Sequence, residues 1–244
     1  MTPPSGGQFE LRHGAQRVVV VEVGGGIREW DGVLDGYPID QMCKSARGQV
    51  LAPWPNRLDE GRYEFDGETY QVPLNEPPQA MHGFVRWANW RPVARAEDLV
   101  ELEHVLHPQP GYPFSLRLTV EYRLDAAGLT VRTSAENVGD RALPFGVGHH
   151  PYIARHADDV FGPGEQHDEA HPFAGEIAIG DVTVWADENW KWVQLYTGDE
   201  RPDVARRCIA VEPMTCRRDA FRTGEDVIRL EPGERWAGTW GIRI

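Results

Sequence analysis

Residues 62–72 read RYEFDGETYQV, and this run carries the clearest fold signal in the chain. Aromatic and polar residues alternate on both sides of Asp66-Gly67, which is the pattern of two strands that each bury one face. Asp-Gly is a favoured pair for the type I′ turn that joins antiparallel strands. The run therefore predicts a β-hairpin.

Short runs of the same kind recur along the rest of the chain, separated by glycine, proline and aspartate. Strands are predicted at residues 17–23, 99–106, 182–185, 191–197, 207–211, 227–230 and 235–244, with a second hairpin of 115–124 and 129–136 around residues 125–128. Residues 154–176, rich in Asp, Gly, Pro and His, are expected to have the least regular structure. No run keeps a helical i, i+3, i+4, i+7 pattern for three turns, so the pattern predicts an all-β sandwich or barrel with little helix. With no internal repeat and no linker, we expect residues 1–244 to form a single domain.

The net charge argues against some classes of binding partner, and the cysteines indicate the redox state of the compartment. The chain has 38 acidic and 25 basic residues, for a formal charge of −13, which repels phosphate backbones and anionic membranes. The three cysteines are Cys43, Cys208 and Cys216, and their spacing is neither that of a disulfide framework nor that of a zinc site. This fits a protein whose thiols stay reduced. With no recognisable signal peptide and no apolar run long enough to span a membrane, we expect a cytoplasmic protein that binds neither nucleic acid nor membrane.

Residues 146–152, GVGHHPY, hold two adjacent histidines between glycines and a proline. Glycine lets a ligand or backbone come close, and proline ends a central strand, so the motif is expected at the rim of a sheet. On an extended strand His149 and His150 point to opposite faces, and only one of them can face a given pocket. A chelating pair is therefore disfavoured.

Three further side chains are candidates for chemistry. Arg57 lies in a loop constrained by prolines and suits hydrogen bonding to hydroxyl oxygens or an anion, with a plain surface arginine as the alternative. His82 is a candidate donor to substrate, or else a hydrogen-bonded core histidine. Glu212 is expected at the end of an apolar strand, either as a solvated charge or as a pocket group.

The chain has nine tryptophans, and three of them lie near polar loops in the sequence: Trp54, Trp87 and Trp90. Their rings could form the floor of a sugar-binding site.

Six motifs in order along the chain resemble the aldose 1-epimerase (galactose mutarotase) family. They are Asn56-Arg57-Leu58 with Gly61-x-Tyr63 and Asp66-Gly67 behind it, Leu74-Asn75-Glu76, His82-Gly83, Gly111-Tyr112-Pro113-Phe114, His150-Pro151-Tyr152, and Val211-Glu212-Pro213-Met214-Thr215 followed by Asp219-Ala220-Phe221. The runs 81–90 and 211–215 are most similar to the bacterial branch that includes sulfoquinovose mutarotase-like proteins. The resemblance covers most of residues 15–244.

The resemblance implies a large antiparallel β-sandwich with a sugar site in its cleft. It implies that Glu212 is the general base and His150 the general acid of mutarotation, and that Arg57 and His82 bind sugar hydroxyls. Such acid–base chemistry works best with both pKa values near neutrality and needs no metal or other cofactor. The expected partner is a small-molecule sugar; the sequence gives no indication of an oligomeric state.

One interval departs from the family pattern. The stretch between His-Pro-Tyr and Val-Glu-Pro-Met-Thr is shorter and more polar here than in this branch of the family, and the family's sugar-binding aspartate falls within it. Asp168 is the best match and Asp181 the second. Arg57 and Arg86 raise the further hypothesis of an anionic sugar.

Three other functions compete with a mutarotase. A non-catalytic carbohydrate-binding sandwich would bind sugar without accelerating anomer exchange. A cupin-like metal enzyme using His82, His149, His150 and Glu212 would need a His-x-His spacing that these residues lack. A glycosidase needs two carboxylates that flank the scissile bond, and only Glu212 is well placed for that.

Overall fold

The computed structural model describes residues 2–244, and almost all of the regular structure is β. In chain order the strands are β1 (Gln8–His13), β2 (Gln16–Val21), β3 (Ile27–Trp30), β4 (Val50–Leu51), β5 (Arg57–Asp59), β6 (Arg62–Phe65), β7 (Glu68–Gln71), β8 (Gln79–Met81), β9 (Arg91–Arg95), β10 (Leu99–Leu106), β11 (Leu116–Asp125), β12 (Gly128–Asn137), β13 (Leu143–Phe145), β14 (Gly148–His149), β15 (Tyr152–Ile153), β16 (Asp168–Pro172), β17 (Glu176–Ile179), β18 (Val182–Ala186), β19 (Trp192–Tyr196), β20 (Ile209–Met214), β21 (Ile228–Leu230) and β22 (Arg235–Arg243). Within residues 2–244 the helical segments are α1 (Ala157–Val160), α2 (Ala220–Thr223) and a 3₁₀ helix at Val85–Trp87. The prediction of an all-β chain with little helix is confirmed.

Both predicted hairpins form. Strands β6 and β7 pair across Asp66-Gly67, whose φ angles of 53° and 79° are both positive, as a type I′ turn requires. Strands β11 and β12 pair over their whole length, and the register Asp125↔Gly128 leaves only two alanines in the connection. Buried residues alternate along β11, which shows that one face of this hairpin lies on the core.

Two large sheets form the body of the fold. The seven-stranded sheet has the order β17-β18-β22-β12-β11-β10-β9, and the six-stranded sheet has the order β16-β19-β20-β14-β4 with β15 also on β20. The strand pairs within both sheets are antiparallel. Tyr122 and Val131 of the first sheet and Val193 and Val211 of the second belong to one continuous hydrophobic cluster. The chain is thus an antiparallel β-sandwich.

One expectation about local structure was wrong. Residues 154–176 contain the short helix α1 and the strand β16, although they were expected to be the least regular part. Strand β16 lies at the edge of its sheet and is largely exposed, so it lacks the apolar alternation by which a strand is recognised. The run 143–148 is divided between two strands, because β13 pairs with β21 whereas β14 pairs with β4 and β20.

Cys43, Cys208 and Cys216 are all buried and unpaired, as their spacing indicated. Burial raises the pKa of the Cys43 thiol to about 11, which keeps it protonated and unreactive near neutral pH. Among the described residues, no helix combines the length and the apolar character needed to cross a membrane.

Candidate active site

A pocket of about 460 Å³ opens beside the six-stranded sheet. Its lining includes all five residues that the sequence singled out as site residues, namely Arg57, His82, His150, Asp168 and Glu212. The volume lies in the range of about 300–1,000 Å³ that is usual for small-molecule sites. Residues separated by up to 155 positions in sequence therefore meet in one cleft.

His150 and Glu212 meet at the base of this pocket. His150 Nε2 lies 3.3 Å from Glu212 Oε1, and both side chains are almost fully buried. The other carboxylate oxygen, Glu212 Oε2, is buried without a hydrogen-bond partner in the described chain. The His150 ring stacks on Tyr152 at a centroid distance of 4.9 Å, which fixes its orientation.

His149 points the other way, into the space between the two sheets. Its Nε2 lies 2.8 Å from Thr133 Oγ1 on β12, and its ring packs against Trp190 and Trp240. The alternation of a strand had predicted opposite faces for the two histidines, and this is confirmed. A metal site built from both of them is excluded by this geometry.

Glu212 lies inside β20 and not at the end of a strand, so that expectation was wrong. All six residues of β20 are buried, and the strand continues through Pro213. Strand β14 pairs with β20 at Met214, whereas β15 pairs with it at Ile209 and Ala210. Pro213 falls in the interruption between them, where a missing N–H is tolerated.

His82 occupies a left-handed backbone conformation, with φ 62°. The backbone N–H of Asn56 donates to His82 Nδ1 at 3.0 Å, so the proton of the neutral ring lies on Nε2. The His82 and His150 rings meet edge to face at 5.4 Å. His82 is therefore positioned as a hydrogen-bond donor in the pocket.

Arg57 and Asp168 form an ion pair in the pocket lining. Arg57 Nη2 lies 3.4 Å from Asp168 Oδ2, and Gln194 Nε2 donates to Asp168 Oδ1 at 2.8 Å. Asp181, the second candidate, lies at the turn between β17 and β18, pairs with Arg155 at 2.6 Å and is 79% exposed. Of the two aspartates, Asp168 is the one in the pocket.

Burial shifts the pKa values of the histidines and of Glu212 in opposite directions. Loss of solvation raises the pKa of Glu212 well above its ordinary value, reinforced by the charge of Asp168 and opposed by Arg57. Loss of solvation lowers the pKa of His150 to about 3, helped by Arg86, and lowers that of His82 as well. The expectation that both pKa values move toward neutrality holds for Glu212 and was wrong for His150.

The family model described as aldose 1-epimerase matches residues 7–162, which is more than half of the chain. The chain belongs to the aldose 1-epimerase family. The matched span contains Arg57, His82 and His150, whereas Asp168 and Glu212 follow it.

Two curated relatives and one solved structure extend the comparison. The uncharacterised protein YihR of Escherichia coli K12 is 32% identical over 286 aligned residues, which cover 94% of this chain and 91% of that protein. Rat galactose mutarotase is 28% identical over 149 residues, or 60% of this chain and 40% of the rat protein. The structure of a GalM/aldose epimerase homologue from C. elegans has a TM-score of 0.80 at 14% identity, covering 97% of this chain and 98% of that one, and so shares the fold.

The aldose 1-epimerase pocket contains residues that the sequence analysis did not assign to it. Gln194 lies opposite Glu212 in the β19–β20 ladder and holds Asp168. A glutamine in the middle of the apolar strand WVQLY is a buried polar residue, and that signal could have revealed it. Tyr152 and Tyr196 are the aromatic residues of the lining.

The expectation that tryptophan rings form the floor of the site was wrong. Trp54 and Trp90 are buried in the hydrophobic core, and Trp87 is 48% exposed outside the pocket. Their nearness to polar loops in sequence did not bring their rings to the cleft, because a buried indole contributes more to the core than a surface one. A sugar in this pocket would meet the tyrosine rings instead.

Proposed function

We propose that this protein is a mutarotase that interconverts the α and β anomers of a hexose or hexose derivative by general acid–base catalysis. The observation that carries the proposal is the buried His150–Glu212 pair, 3.3 Å apart at the base of a polar pocket. Mutarotation requires a proton donor and a proton acceptor within reach of one sugar ring, and an imidazole with a carboxyl group can fill both roles. The placement of the chain near sulfoquinovose mutarotase-like proteins stays a prediction.

The reaction needs one proton acceptor and one proton donor. Glu212 takes the proton of the anomeric hydroxyl while His150 gives a proton to the ring oxygen, and the bond between C1 and that oxygen breaks to leave an open-chain aldehyde. Rotation about C1–C2 exposes the other face of the carbonyl. Ring closure then runs with the roles reversed: His150 recovers its proton from the hydroxyl that attacks C1, and Glu212 returns its proton to the carbonyl oxygen.

The other pocket residues have binding roles in this proposal. Arg57 and His82 donate hydrogen bonds to sugar oxygens, and Asp168 accepts from sugar hydroxyls. Gln194 and Arg57 hold the Asp168 carboxylate from two sides, at 2.8 and 3.4 Å, which orients it toward the cleft. Preset geometry of this kind lowers the entropic cost of placing the anomeric centre between His150 and Glu212.

The central test replaces the two catalytic candidates. His150→Ala and Glu212→Gln are each expected to lower the enzymatic rate of anomer exchange about 10²–10⁴-fold, because each removes a proton-transfer group. Saturation-transfer NMR between the two anomeric signals measures that rate on a panel of sugars. The exposed residues His107 and Glu188 provide matched controls, and His107→Ala and Glu188→Gln should keep full activity.

Two results would overturn the proposal. Normal rates in both catalytic variants, with folding verified by circular dichroism, would remove the mechanism. A wild-type protein that binds sugar but leaves anomer exchange at the buffer rate would be a carbohydrate-binding sandwich and not an enzyme.

The same panel tests the hypothesis of an anionic substrate. Arg86 is buried in the pocket lining, its Nε and Nη1 have no hydrogen-bond partner among the described residues, and Glu76 approaches only to 3.9 Å. A buried guanidinium with two nitrogens that make no hydrogen bond and only one distant carboxylate favours an anionic ligand group. An anionic hexose derivative is therefore expected to turn over faster than the parent hexose, and the reverse order would contradict this.

A further inference from the structure

A cluster of histidines and glutamates lies along the edge strand β16 and directly before it, and two of its members, His167 and Glu169, also line the pocket. His167, Glu169 and His171 are spaced two residues apart, so their side chains emerge on the same side of the strand. Glu169 Oε1 lies 3.2 Å from His167 Nδ1 and 3.5 Å from His171 Nε2. One potential ligand atom from each of the three residues falls within 4.8 Å of the others.

These distances match those between ligands that share one metal ion. With metal–ligand bonds of about 2.1 Å, the ligand atoms of a tetrahedral site are about 3.4 Å apart. Two imidazoles and one carboxylate are a donor set that zinc accepts, with a fourth position left for water. Magnesium and calcium prefer sites made of oxygen ligands, so this donor set selects against them.

Glu165 lies where an outer partner of a metal-binding histidine would stand. Its Oε1 is 3.2 Å from His167 Nε2, but that nitrogen makes no hydrogen bond among the described residues, so Glu165 would have to reorient to accept the remaining N–H of a ring that binds metal through Nδ1. Such a contact fixes the tautomer and the orientation of a ligand histidine. The His167 ring also packs against Phe161, at a centroid distance of 4.1 Å, and its side chain is only 15% exposed.

We propose that His167, Glu169 and His171 form a binding site for a divalent transition-metal ion, with zinc the best match to the donor set. His167 and Glu169 also line the pocket, so the site adjoins Asp168 at the pocket wall, and its three ligands do not include His150 or Glu212. A bound ion would tie together an edge strand that has a neighbour on one side only. It would therefore stabilise the wall of the pocket without taking part in the proton transfers.

Calorimetry with zinc chloride tests the proposal directly. Protein treated with a chelator and then dialysed is expected to bind one zinc ion per chain and to show a melting temperature that rises with zinc concentration. Magnesium chloride at the same concentrations should do neither. Absence of zinc binding in the wild-type protein would overturn the proposal.

Matched variants show whether these residues hold the ion. His171→Gln and Glu169→Gln remove ligands on the exposed surface and should abolish the zinc-dependent rise in melting temperature, whereas His107→Gln, at an exposed histidine elsewhere, should keep it. Glu165→Gln should weaken zinc binding about 10–100-fold without abolishing it, as loss of an outer partner does. Unchanged binding in both His171→Gln and Glu169→Gln would place the ion elsewhere and contradict the proposal.

Cobalt gives a second readout that does not depend on stability. Co²⁺ added to the metal-free protein is expected to produce the visible absorption of a four- or five-coordinate ion, and His171→Gln should lose that spectrum. A spectrum of hexa-aqua cobalt in the wild-type protein would count against the site. Because both readouts are independent of mutarotation, failure of the metal site and failure of the proposed function are distinguishable.

Discussion

Burial determines how many protons the Glu212–His150 pair holds. Loss of solvation raises the pKa of Glu212 and lowers that of His150 to about 3, so between the pKa of His150 and the raised pKa of Glu212 the pair holds one proton. Two groups this close titrate as a unit, and the proton belongs to the pair. Either placement of that single proton leaves one donor and one acceptor, which is the requirement for opening and for closing the ring.

The proton count predicts the pH profile of mutarotation. The rate should not decline as the pH falls from about 7 to about 5, because His150 does not take up a second proton near the ordinary histidine pKa of about 6.5. The rate should fall as the pH rises through the raised pKa of Glu212, where the pair loses its last proton and no donor remains. Measurement of kcat/KM by NMR across the pH range checks this, and a decline below about pH 6.5 would show that His150 titrates as an exposed histidine.

Asp168 and Asp181 form a natural pair for testing sugar binding. Asp168→Asn should raise KM with little change in kcat and lower kcat/KM about 10-fold or more, because a hydrogen bond to a charged acceptor is worth about 1.5 kcal/mol or more. Asp181→Asn should have no effect, since its carboxylate pairs with Arg155 away from the pocket. Equal effects of the two substitutions on KM would contradict the assignment of Asp168.

At the scale of elements, the site depends on how β14 and β20 meet. Strand β14 ends at His149, whose ring reaches across to Thr133 and ties the two sheets together, so the next side chain, that of His150, faces the pocket. Strand β20 presents Glu212 in a fully buried ladder beside it. Glu212 is therefore held inside the six-stranded sheet and His150 directly after one of its strands, whereas Asp168 begins the edge strand of that sheet and His82 follows β8 outside it.

The loop that carries His82 is held by a close approach of Gly83 to the backbone of Ala52, directly after β4. Gly83 has φ 66°, and a Cβ atom there would lie 2.0 Å from the carbonyl oxygen of Ala52. Gly83→Ala should therefore lower the free energy of unfolding by at least about 3 kcal/mol, from overpacking and from a strained backbone. Urea denaturation followed by circular dichroism measures the loss.

Gly67 is the matched control for this substitution. It has a similar φ of 79°, but open space surrounds the position where a Cβ atom would stand. Gly67→Ala should cost only about 1–2 kcal/mol of conformational strain. If the two variants lost the same amount of stability, the contact with Ala52 would have no special role in holding His82.

At the scale of the whole molecule, one hydrophobic cluster joins the two large sheets. Leu118 and Trp240 of the seven-stranded sheet and Leu195 and Ile209 of the six-stranded sheet belong to it. We propose on this basis that residues 1–244 fold as a single domain. The formal charge of −13 remains the argument against nucleic acid as a partner.

A shared core predicts one cooperative unfolding transition. Urea unfolding followed by tryptophan fluorescence and by far-UV circular dichroism should give coincident curves, because nine tryptophans and the strands of both sheets report on the same unit. Two separate transitions, or curves with different midpoints, would divide the chain into independently folding parts.

Several features could be predicted from the sequence because their causes are local. The β6–β7 hairpin follows from alternation around Asp66-Gly67, and the opposite directions of His149 and His150 follow from the geometry of a strand. Strand β16 could not be predicted in this way, because an exposed edge strand has no apolar pattern. The positions of Trp54 and Trp90 in the core were also missed, since burial of a ring depends on what the rest of the chain brings against it.

The sequence by itself determined the fold class, the family resemblance and the set of residues from which a site could be built. Only the tertiary structure decided that Asp168 and not Asp181 joins the pocket, and that His150 and Glu212 lie 3.3 Å apart out of solvent. The physical reason is that strand patterning and turn chemistry act between near neighbours. Burial, ion pairing and pKa depend on groups that the fold gathers from distant parts of the chain.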